Sequence, residues 1–175
     1  MCLFFFRQAK KNWFCYEIQH NKCYTNFKPT KVHKEYVKEF DKWIEKKKEY
    51  NFQENPPPQF KENDIWWTSI GVNVGYEEDG KHDKFIRPVL VLKKFNRELF
   101  LGIPMSTKIK DNRYYIEVTI AEKIVSVLIS QIRVFSAKRL QDKLAELDSK
   151  DFEKVKSEVV KMISFSSLPK QRGRG

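Results

Sequence analysis

The side chains that could carry chemistry in this 175-residue chain are arginines, acids and hydroxyls. Histidine and cysteine occur three times each, at His20, His33, His82, Cys2, Cys15 and Cys23. The histidines are isolated, with no H-E-x-x-H spacing, and the cysteines form neither a C-x-x-C pair nor a zinc-finger pattern. Neither a G-x-S-x-G nucleophile motif nor a P-loop occurs. We therefore expect no metal and no other cofactor, and any catalysis must use Arg, Glu, Ser or Thr side chains and backbone groups.

The chain is basic, with 34 Lys and Arg against 23 Asp and Glu and a net charge of +11. This sign favours an anionic partner such as nucleic acid or an acidic protein. The charge is spread out, since residues 1–61 hold 13 basic against 7 acidic side chains and residues 62–175 hold 21 against 16. An RNA groove would need local placement of Arg and Lys, so the net charge alone does not predict nucleic-acid binding.

Residues 1–32 mix aromatic, Cys and Lys residues without periodicity. We expect this segment to be irregular or disordered and to carry no function. A stretch that lies upstream of the true translation start would show the same lack of pattern. The apolar run Leu3–Phe6 is followed at once by Arg7, and is too short for a secretory signal or a membrane span. The chain beyond Cys23 has no cysteine, as expected in a reduced compartment. These features predict a soluble cytoplasmic protein that does not associate with membranes.

Residues 33–61 have a helical pattern followed by a proline-rich linker. Large apolar side chains recur every three to four residues, at Tyr36, Phe40, Trp43, Ile44 and Tyr50. This spacing predicts an amphipathic helix over residues 34–50, whose apolar stripe docks on the next domain. The triplet Pro56–Pro58 cannot continue a helix and marks a stiff linker, so we place the domain boundary there.

Residues 62–165 change to a pattern of short strands. The predicted strands are Ile65–Ile70, Pro88–Leu92, Leu99–Pro104, Tyr114–Ile120 and Ile124–Ile132. In the last of these, we expect Ser126 and Ser130 to face away from Val125, Val127 and Ile129. A polar loop over residues 73–85 follows the first strand. Several short strands separated by turn signals indicate a small barrel or sandwich.

The end of this domain is predicted to be helical. One apolar stripe is formed by Phe152, Val155, Val159, Met162 and Ile163. Asp148 or Ser149 is the expected N-cap, because both side chains can accept a hydrogen bond from the first turn. The last residues, 166–175, form a basic tail that we expect to be disordered.

Five short motifs occur in order along this domain. They are Asn63–Trp67, Val74–Glu77, Arg87–Leu92, Pro104–Lys108 and Gln131–Arg133, the last followed by Lys138-Arg139-Leu140. In this order, and on these strand and loop types, they resemble the MazF/PemK family of toxins from type II toxin–antitoxin systems, over residues 63–162. The resemblance implies a mainly β fold with flanking helices (α+β). The expected core is an SH3-like small β-barrel of the MazF/PemK/CcdB type, here with an extra N-terminal amphipathic helix.

The resemblance also implies an activity and partners. We expect a homodimer with a groove across the dimer, and metal-independent, sequence-specific cleavage of single-stranded RNA. The 2′-hydroxyl would attack the adjacent phosphorus and leave a 2′,3′-cyclic phosphate and a 5′-hydroxyl. A small antitoxin protein would occupy the groove. Two alternatives share the fold: a toxin that binds DNA gyrase without hydrolysis, and a catalytically inactive barrel that binds nucleic acid or protein.

By this resemblance the catalytic residues are Arg87, Ser106 and Glu77. The Arg87 guanidinium could grip two phosphate oxygens as negative charge builds on the phosphoryl group. Charge stabilisation suits it better than proton donation, because a guanidinium gives up a proton reluctantly. The alternative is that Arg87 pairs with a loop carboxylate such as Glu78 or Asp79.

The two other catalytic candidates also have alternative roles. Ser106 stands where the family usually has Thr, and its hydroxyl could hold a phosphate oxygen or the attacking 2′-oxygen, or cap a turn after Pro104. Glu77 could act as general base for the 2′-hydroxyl or accept a hydrogen bond from a base edge, unless it is simply solvated. His82, within a longer loop than is typical of the family, is a weaker candidate for proton donor.

The RNA-contacting residues implied by the resemblance are Tyr76, Thr107, Lys108 and Gln131. Tyr76 replaces a Ser that is usual in the family. The Gln131 amide could read a base edge or simply make a hydrogen bond at the end of a strand. Trp66 and Trp67 must point to opposite faces of one strand. One of them is expected in the core, and the other could stack on a base or lie in the dimer interface.

Overall fold

The computed structural model describes residues 38–164. Its two helices are α1, Phe40–Phe52, and α2, Ser149–Ser164. Its seven strands are β1 Asp64–Ser69, β2 Ile86–Lys94, β3 Leu99–Ser106, β4 Tyr115–Ile120, β5 Lys123–Leu128, β6 Arg133–Ser136 and β7 Leu140–Glu146. Single 3-10 turns, Ile129–Gln131 and Ala137–Arg139, flank β6. The predictions for residues 1–32 and 166–175 fall outside the described part of the chain.

All strand pairs are antiparallel, and the hydrogen-bonded order is β4-β5-β3-β2-β1-β7, with β6 paired to β3 beside this path. The strand β3 is shared, because Leu99–Gly102 pair with β6 while Met105 and Ser106 pair with β5. The fold is therefore the expected antiparallel sheet with flanking helices, but the predicted barrel is not closed. Among the described residues, no hydrogen-bonded ladder joins β4 to β7.

The sheet has a hydrophobic core on each face, because neighbouring residues of a strand point to opposite sides. Ile65 belongs to the core that α2 covers, with Phe152, Val155 and Val159 of that helix. Trp66 belongs to the other core, which also contains Phe60, Phe100 and Phe135. The α2 stripe is thus largely as predicted, although Ile163 is 71% exposed. The Asp148 carboxylate accepts a hydrogen bond from the Lys150 N–H at 2.8 Å, as expected of the N-cap.

The strands differ from the sequence predictions in two respects. The predicted strand Ile124–Ile132 ends at Leu128, and Ile129–Gln131 is a 3-10 turn. Ser126, which was predicted to face away from Val125 and Val127, is fully buried. The strands β6 and β7 were not predicted, because their residues lack a clean alternation of apolar and polar side chains.

Within the described residues, helix α1 begins at Phe40, which is later than the predicted start. Among the members of the predicted stripe that the structure describes, only Trp43 is buried, while Phe40 and Ile44 are more than two-fifths exposed. Trp43 packs against Val72 and Phe85, with Tyr50 alongside. The helix therefore docks on the segment that joins β1 to β2.

Candidate active site

A groove of about 540 Å³ lies where β2 begins and β3 ends. Its lining includes Trp67, His82, Arg87, Ser106, Thr107 and Lys123. The antiparallel register explains why two predicted catalytic residues meet there. Val89 pairs with Pro104, and continuing that register by two residues places Arg87 opposite Ser106. We refer to this feature as the Arg87 groove.

The Arg87 side chain is almost buried, at 8% exposure, and its guanidinium is already well coordinated. Nε donates to the Asp79 carbonyl at 2.9 Å, and Nη1 donates to the Met105 carbonyl at 3.3 Å. Nη2 lies 2.7 Å from Glu78 Oε2 in an ion pair. The alternative pairing with a loop acid is therefore present in the structure. These contacts use three of the five N–H donors of a guanidinium and leave two unused.

Ser106 lies at the end of β3, half-buried in the lining of the groove. Its hydroxyl oxygen accepts a hydrogen bond from the Lys108 N–H at 3.2 Å, so it caps the turn that follows. A hydroxyl that accepts one bond can still donate its own proton to another acceptor. Thr107 is exposed and also lines the groove, whereas Lys108 is exposed but does not line it.

The segment between β1 and β2, residues 70–85, contacts Arg87 and supplies its acidic partner, Glu78. We call it the β1–β2 loop. Its middle is tied together by Asn73, whose N–H donates to Asp79 Oδ1 at 2.6 Å and whose Nδ2 donates to the Glu78 carbonyl at 2.7 Å. The Gly80 N–H donates to the Gly71 carbonyl at 2.7 Å. These bonds close the loop on itself and set where the Glu78 carboxylate lies.

Three of the predicted functional residues lie on or against this loop and outside the lining of the groove. Glu77 and Tyr76 are exposed, and Tyr76 is completely so. Gln131 Oε1 accepts a hydrogen bond from the Glu78 N–H at 3.2 Å, so the Gln131 amide holds the loop in this structure. The structure therefore brings Arg87, Ser106 and Thr107 together, and leaves Glu77, Tyr76, Lys108 and Gln131 around them.

Two further arginines, Arg133 and Arg139, make structural contacts beside the loop. Arg133 donates through Nη1 to Asn73 Oδ1 at 3.2 Å and through Nη2 to the Ile70 carbonyl at 3.3 Å. Burial lowers the pKa of Arg133, and the positive charge of Arg139 acts in the same direction. Burial also lowers the pKa of Arg139, whose guanidinium lies over the Trp43 ring, 5.3 Å from its centre. Both arginines thus hold structure beside the site.

Sequence reasoning did not single out two lysines of the groove. Lys81 lies in the β1–β2 loop, and Lys123 follows the tight turn at Ala121 and Glu122 that joins β4 to β5. Only the folded sheet brings this hairpin next to β2 and β3. Trp67 is the tryptophan that lines the groove, while Trp66 is in the core, as expected for opposite faces of one strand.

Over residues 38–164, no three His, Cys, Asp or Glu side chains are grouped as metal ligands would be. Neither α1 nor α2 is long and apolar enough to cross a membrane.

A family model of PemK-like, MazF-like toxins of type II toxin–antitoxin systems matches residues 61–163. The match covers more than half of the sequence, so this chain belongs to that family, whose members are generally endoribonucleases. The match begins after α1, which is therefore an addition to the part that the family shares. No curated protein sequence matches the chain.

The fold can be compared with that of solved structures. The chain is similar to MazF from Deinococcus radiodurans, with a TM-score of 0.50 and 17% identity, over 62% of this chain and 98% of that one. It is also similar to an endoribonuclease in complex with its cognate antitoxin from Mycobacterial species. That likeness has a TM-score of 0.47 and 11% identity, over 63% of this chain and 100% of that one. At such identities, the likeness to MazF describes the fold alone.

Proposed function

We propose that this protein is a metal-independent, sequence-specific endoribonuclease that cleaves single-stranded RNA in the Arg87 groove. The observation that carries the proposal is the placement of a buried guanidinium and a hydroxyl at the adjoining ends of β2 and β3. Lys81 and Lys123 add positive charge to the same groove. Fixed donors with little exposure to water are suited to a phosphate whose negative charge increases during reaction.

The proposed reaction needs no water molecule in its first step. The 2′-oxygen forms a bond to the adjacent phosphorus, and the bond from phosphorus to the 5′-oxygen breaks. A base takes the proton of the 2′-hydroxyl, and the departing 5′-oxygen receives a proton. The products are a 2′,3′-cyclic phosphate and a 5′-hydroxyl.

Three residues have proposed catalytic roles in this reaction. Arg87 stabilises the phosphoryl oxygens through the N–H groups that its protein contacts leave open. The Ser106 hydroxyl donates to a phosphate oxygen, while its own oxygen continues to accept from Lys108. Glu77, an exposed residue of the β1–β2 loop, is the proposed general base for the 2′-hydroxyl.

The RNA strand and protein partners extend the proposal beyond the groove. Tyr76, Thr107, Lys108 and Gln131 are proposed to contact RNA on either side of the cleaved bond. Thr107 already lines the groove, whereas Gln131 would have to exchange its bond to the Glu78 N–H for one to a base. We also propose a homodimer and a small antitoxin protein that covers the groove, acting in the cytoplasm.

The test uses the purified full chain, a mixed single-stranded RNA and an excess of chelator. We expect cleavage with cyclic phosphate ends, identified by mass spectrometry. Arg87→Ala should lower kcat about 10²- to 10³-fold, the usual effect of removing one preorganised donor to a developing charge. The matched control is Arg97→Ala, in the exposed turn between β2 and β3 at the far end of the same hairpin, and it should cut like the wild type.

Two outcomes would overturn the proposal. Wild-type protein that leaves RNA intact in both chelator and magnesium is not an endoribonuclease on these substrates. If it still binds RNA or gyrase, the non-hydrolytic alternative stands instead. Cleavage by Arg87→Ala at the wild-type rate would move the chemistry away from the groove.

A further inference from the structure

The residue Lys38, just before α1, contacts the β1–β2 loop at three residues, Asn73, Gly75 and Asp79. Its Nζ donates to the Asn73 carbonyl at 2.6 Å and to the Gly75 carbonyl at 3.1 Å. It also forms an ion pair with Asp79 Oδ2 at 3.0 Å. The Lys38 side chain is 22% exposed and the Asp79 side chain 15%, so water screens this pair less than a surface pair.

The same helix is anchored beneath the loop by Trp43. This side chain is 4% exposed and packs against Phe85, with ring centres 5.5 Å apart. Its indole lies so close to Gly71 that a Cβ there would come within 2.1 Å of it. Gly71 and Phe85 are near the two ends of the loop, so α1 contacts the loop at its base while Lys38 contacts its middle.

The charge of Lys38 matters because of what the loop carries. Residues 77–79 are three consecutive acids, Glu77, Glu78 and Asp79. Glu78 is paired with Arg87, and the Asp79 main-chain carbonyl accepts from Arg87 Nε. The Asp79 carboxylate therefore belongs to a residue that Arg87 contacts through the main chain, and Lys38 is the cation that forms an ion pair with this carboxylate.

We infer that Lys38 is a positioning residue, and that helix α1 is a brace that keeps the β1–β2 loop in place and Arg87 available to the RNA phosphate. This inference rests on the proposed function and adds to it, because the family match begins after the helix, at residue 61. Without the Lys38 ammonium, Asp79 is a partly buried carboxylate adjacent to Glu78 in sequence, and the cations left near it are Arg87, which donates to its main-chain carbonyl, and Arg133, whose charge interacts with it. The Asp79 carboxylate then competes with the phosphate for the guanidinium.

The experiment compares Lys38→Met with Lys42→Met in the full chain. Methionine keeps an unbranched apolar side chain and removes the charge. Lys42 is the matched control, because it lies on α1, is mostly exposed, and forms its ion pair with Glu39, at 2.6 Å. We expect Lys38→Met to lower kcat about tenfold, in line with small misplacements of catalytic groups. Lys42→Met should cut like the wild type.

A double mutant separates this role from simple loss of structure. If Lys38 acts by neutralising Asp79, then Lys38→Met in an Asp79→Asn background should cause no further loss of kcat, whatever level Asp79→Asn itself reaches. Lys38→Arg should restore most of the activity. An equal loss in both backgrounds, or no loss in either, overturns the inference.

Amide hydrogen exchange provides a readout that does not depend on RNA cleavage. Peptides covering residues 73–80 should exchange faster in Lys38→Met than in wild type or Lys42→Met, while peptides from β2 and β3 stay unchanged. If the wild type does not cut RNA, the proposed function fails, and this measurement still decides whether Lys38 restrains the loop. Unchanged exchange in Lys38→Met would refute the brace even if cleavage were established.

Discussion

The Arg87 guanidinium and the Glu78 carboxylate form an ion pair, with Nη2 2.7 Å from Oε2, and Arg87 lines the groove proposed to receive RNA. Glu78 is a quarter exposed, and Arg87 is almost buried. An RNA phosphate that enters the groove meets a guanidinium that already has an anionic partner. If RNA binds in this groove as proposed, the Glu78 carboxylate and the RNA phosphate compete for the Arg87 guanidinium.

The first prediction follows from this competition. Glu78→Gln removes the negative charge and should tighten binding of a fully 2′-O-methylated RNA, which cannot be cleaved by 2′-hydroxyl attack. We expect a Kd about tenfold lower, equivalent to about 1.4 kcal/mol. Fluorescence anisotropy measures it, with Glu98→Gln in the exposed turn between β2 and β3 as the control. Weaker binding would mean that Glu78 holds Arg87 in its phosphate-binding position.

The second prediction concerns the Ser106 hydroxyl. Ser106→Ala should lower kcat about 10²-fold, because it removes one donor to the phosphoryl oxygens. Ser106→Thr keeps the hydroxyl and should retain most of the activity. Single-turnover cleavage measures both variants. A Ser106→Ala enzyme as fast as the wild type would leave Ser106 only its hydrogen bond to the Lys108 N–H, as a turn cap.

The third prediction separates the two candidates for proton transfer. Glu77→Gln should lower kcat about 10²-fold or more, the usual contribution of a general base. His82→Gln should change kcat little, although His82 lines the groove and Glu77 does not. The two variants are compared over a range of pH. The reverse result would assign the proton transfer to His82.

The fourth prediction tests how tightly α1 is packed on the loop. Gly71 has φ +90°, and a Cβ there would lie 2.1 Å from the Trp43 ring, so Gly71→Ala combines backbone strain with a clash. We expect a loss of unfolding free energy of at least about 2 kcal/mol. The control is Gly75→Ala, at φ +57° with no atom within 4 Å of the added Cβ, which should cost about 1 kcal/mol. Urea unfolding of both variants measures the difference, and equal losses would contradict it.

The fifth prediction is a pH dependence of stability. The Lys93 ammonium, 2.9 Å from Glu62 Oε1, lowers the pKa of Glu62 from its ordinary value of 4.5, and the Lys94 N–H acts in the same direction. A carboxyl whose pKa is lower in the folded state stabilises the fold above pH 4.5, and this contribution is lost as the pH falls through the folded-state pKa.

Glu62→Gln should therefore reduce the free energy of unfolding at neutral pH, by less than about 1 kcal/mol for so exposed a pair. The difference from wild type should shrink in acid. Urea titrations at several pH values check this, with the exposed Glu54→Gln as the control. A difference that grows on acidification would contradict the assignment.

The candidate site was predictable where strand register alone determines proximity. Arg87 begins one apolar strand and Ser106 ends the next, and a hairpin necessarily brings such positions together. Gln131 was predictable as a residue near the site, but its bond to the Glu78 N–H was not, because it depends on how the loop folds. The ion pair of Arg87 was foreseen only as one of two alternatives.

The least predictable feature was how α1 packs against the rest of the protein. Its apolar spacing indicated a helix, but more than two-fifths of Phe40 and Ile44 remain exposed, and the contact depends on a single buried tryptophan. Lys38 precedes the helix as one of many lysines in its sequence, with nothing to distinguish it. Its three oxygen partners are 35 to 41 residues away along the chain.

The first five strands, the two helices and the places of the charged and hydroxyl groups along the chain follow from local patterns of residues. Apolar periodicity and turn chemistry act over a few residues and can be read along the chain. Local patterns do not predict three other features, which are the open sheet, the pairing of Arg87 with Glu78 and the contacts of Lys38 with the β1–β2 loop. They depend on which distant groups meet once the backbone has folded, because ion pairs and hydrogen bonds form only within a few ångströms.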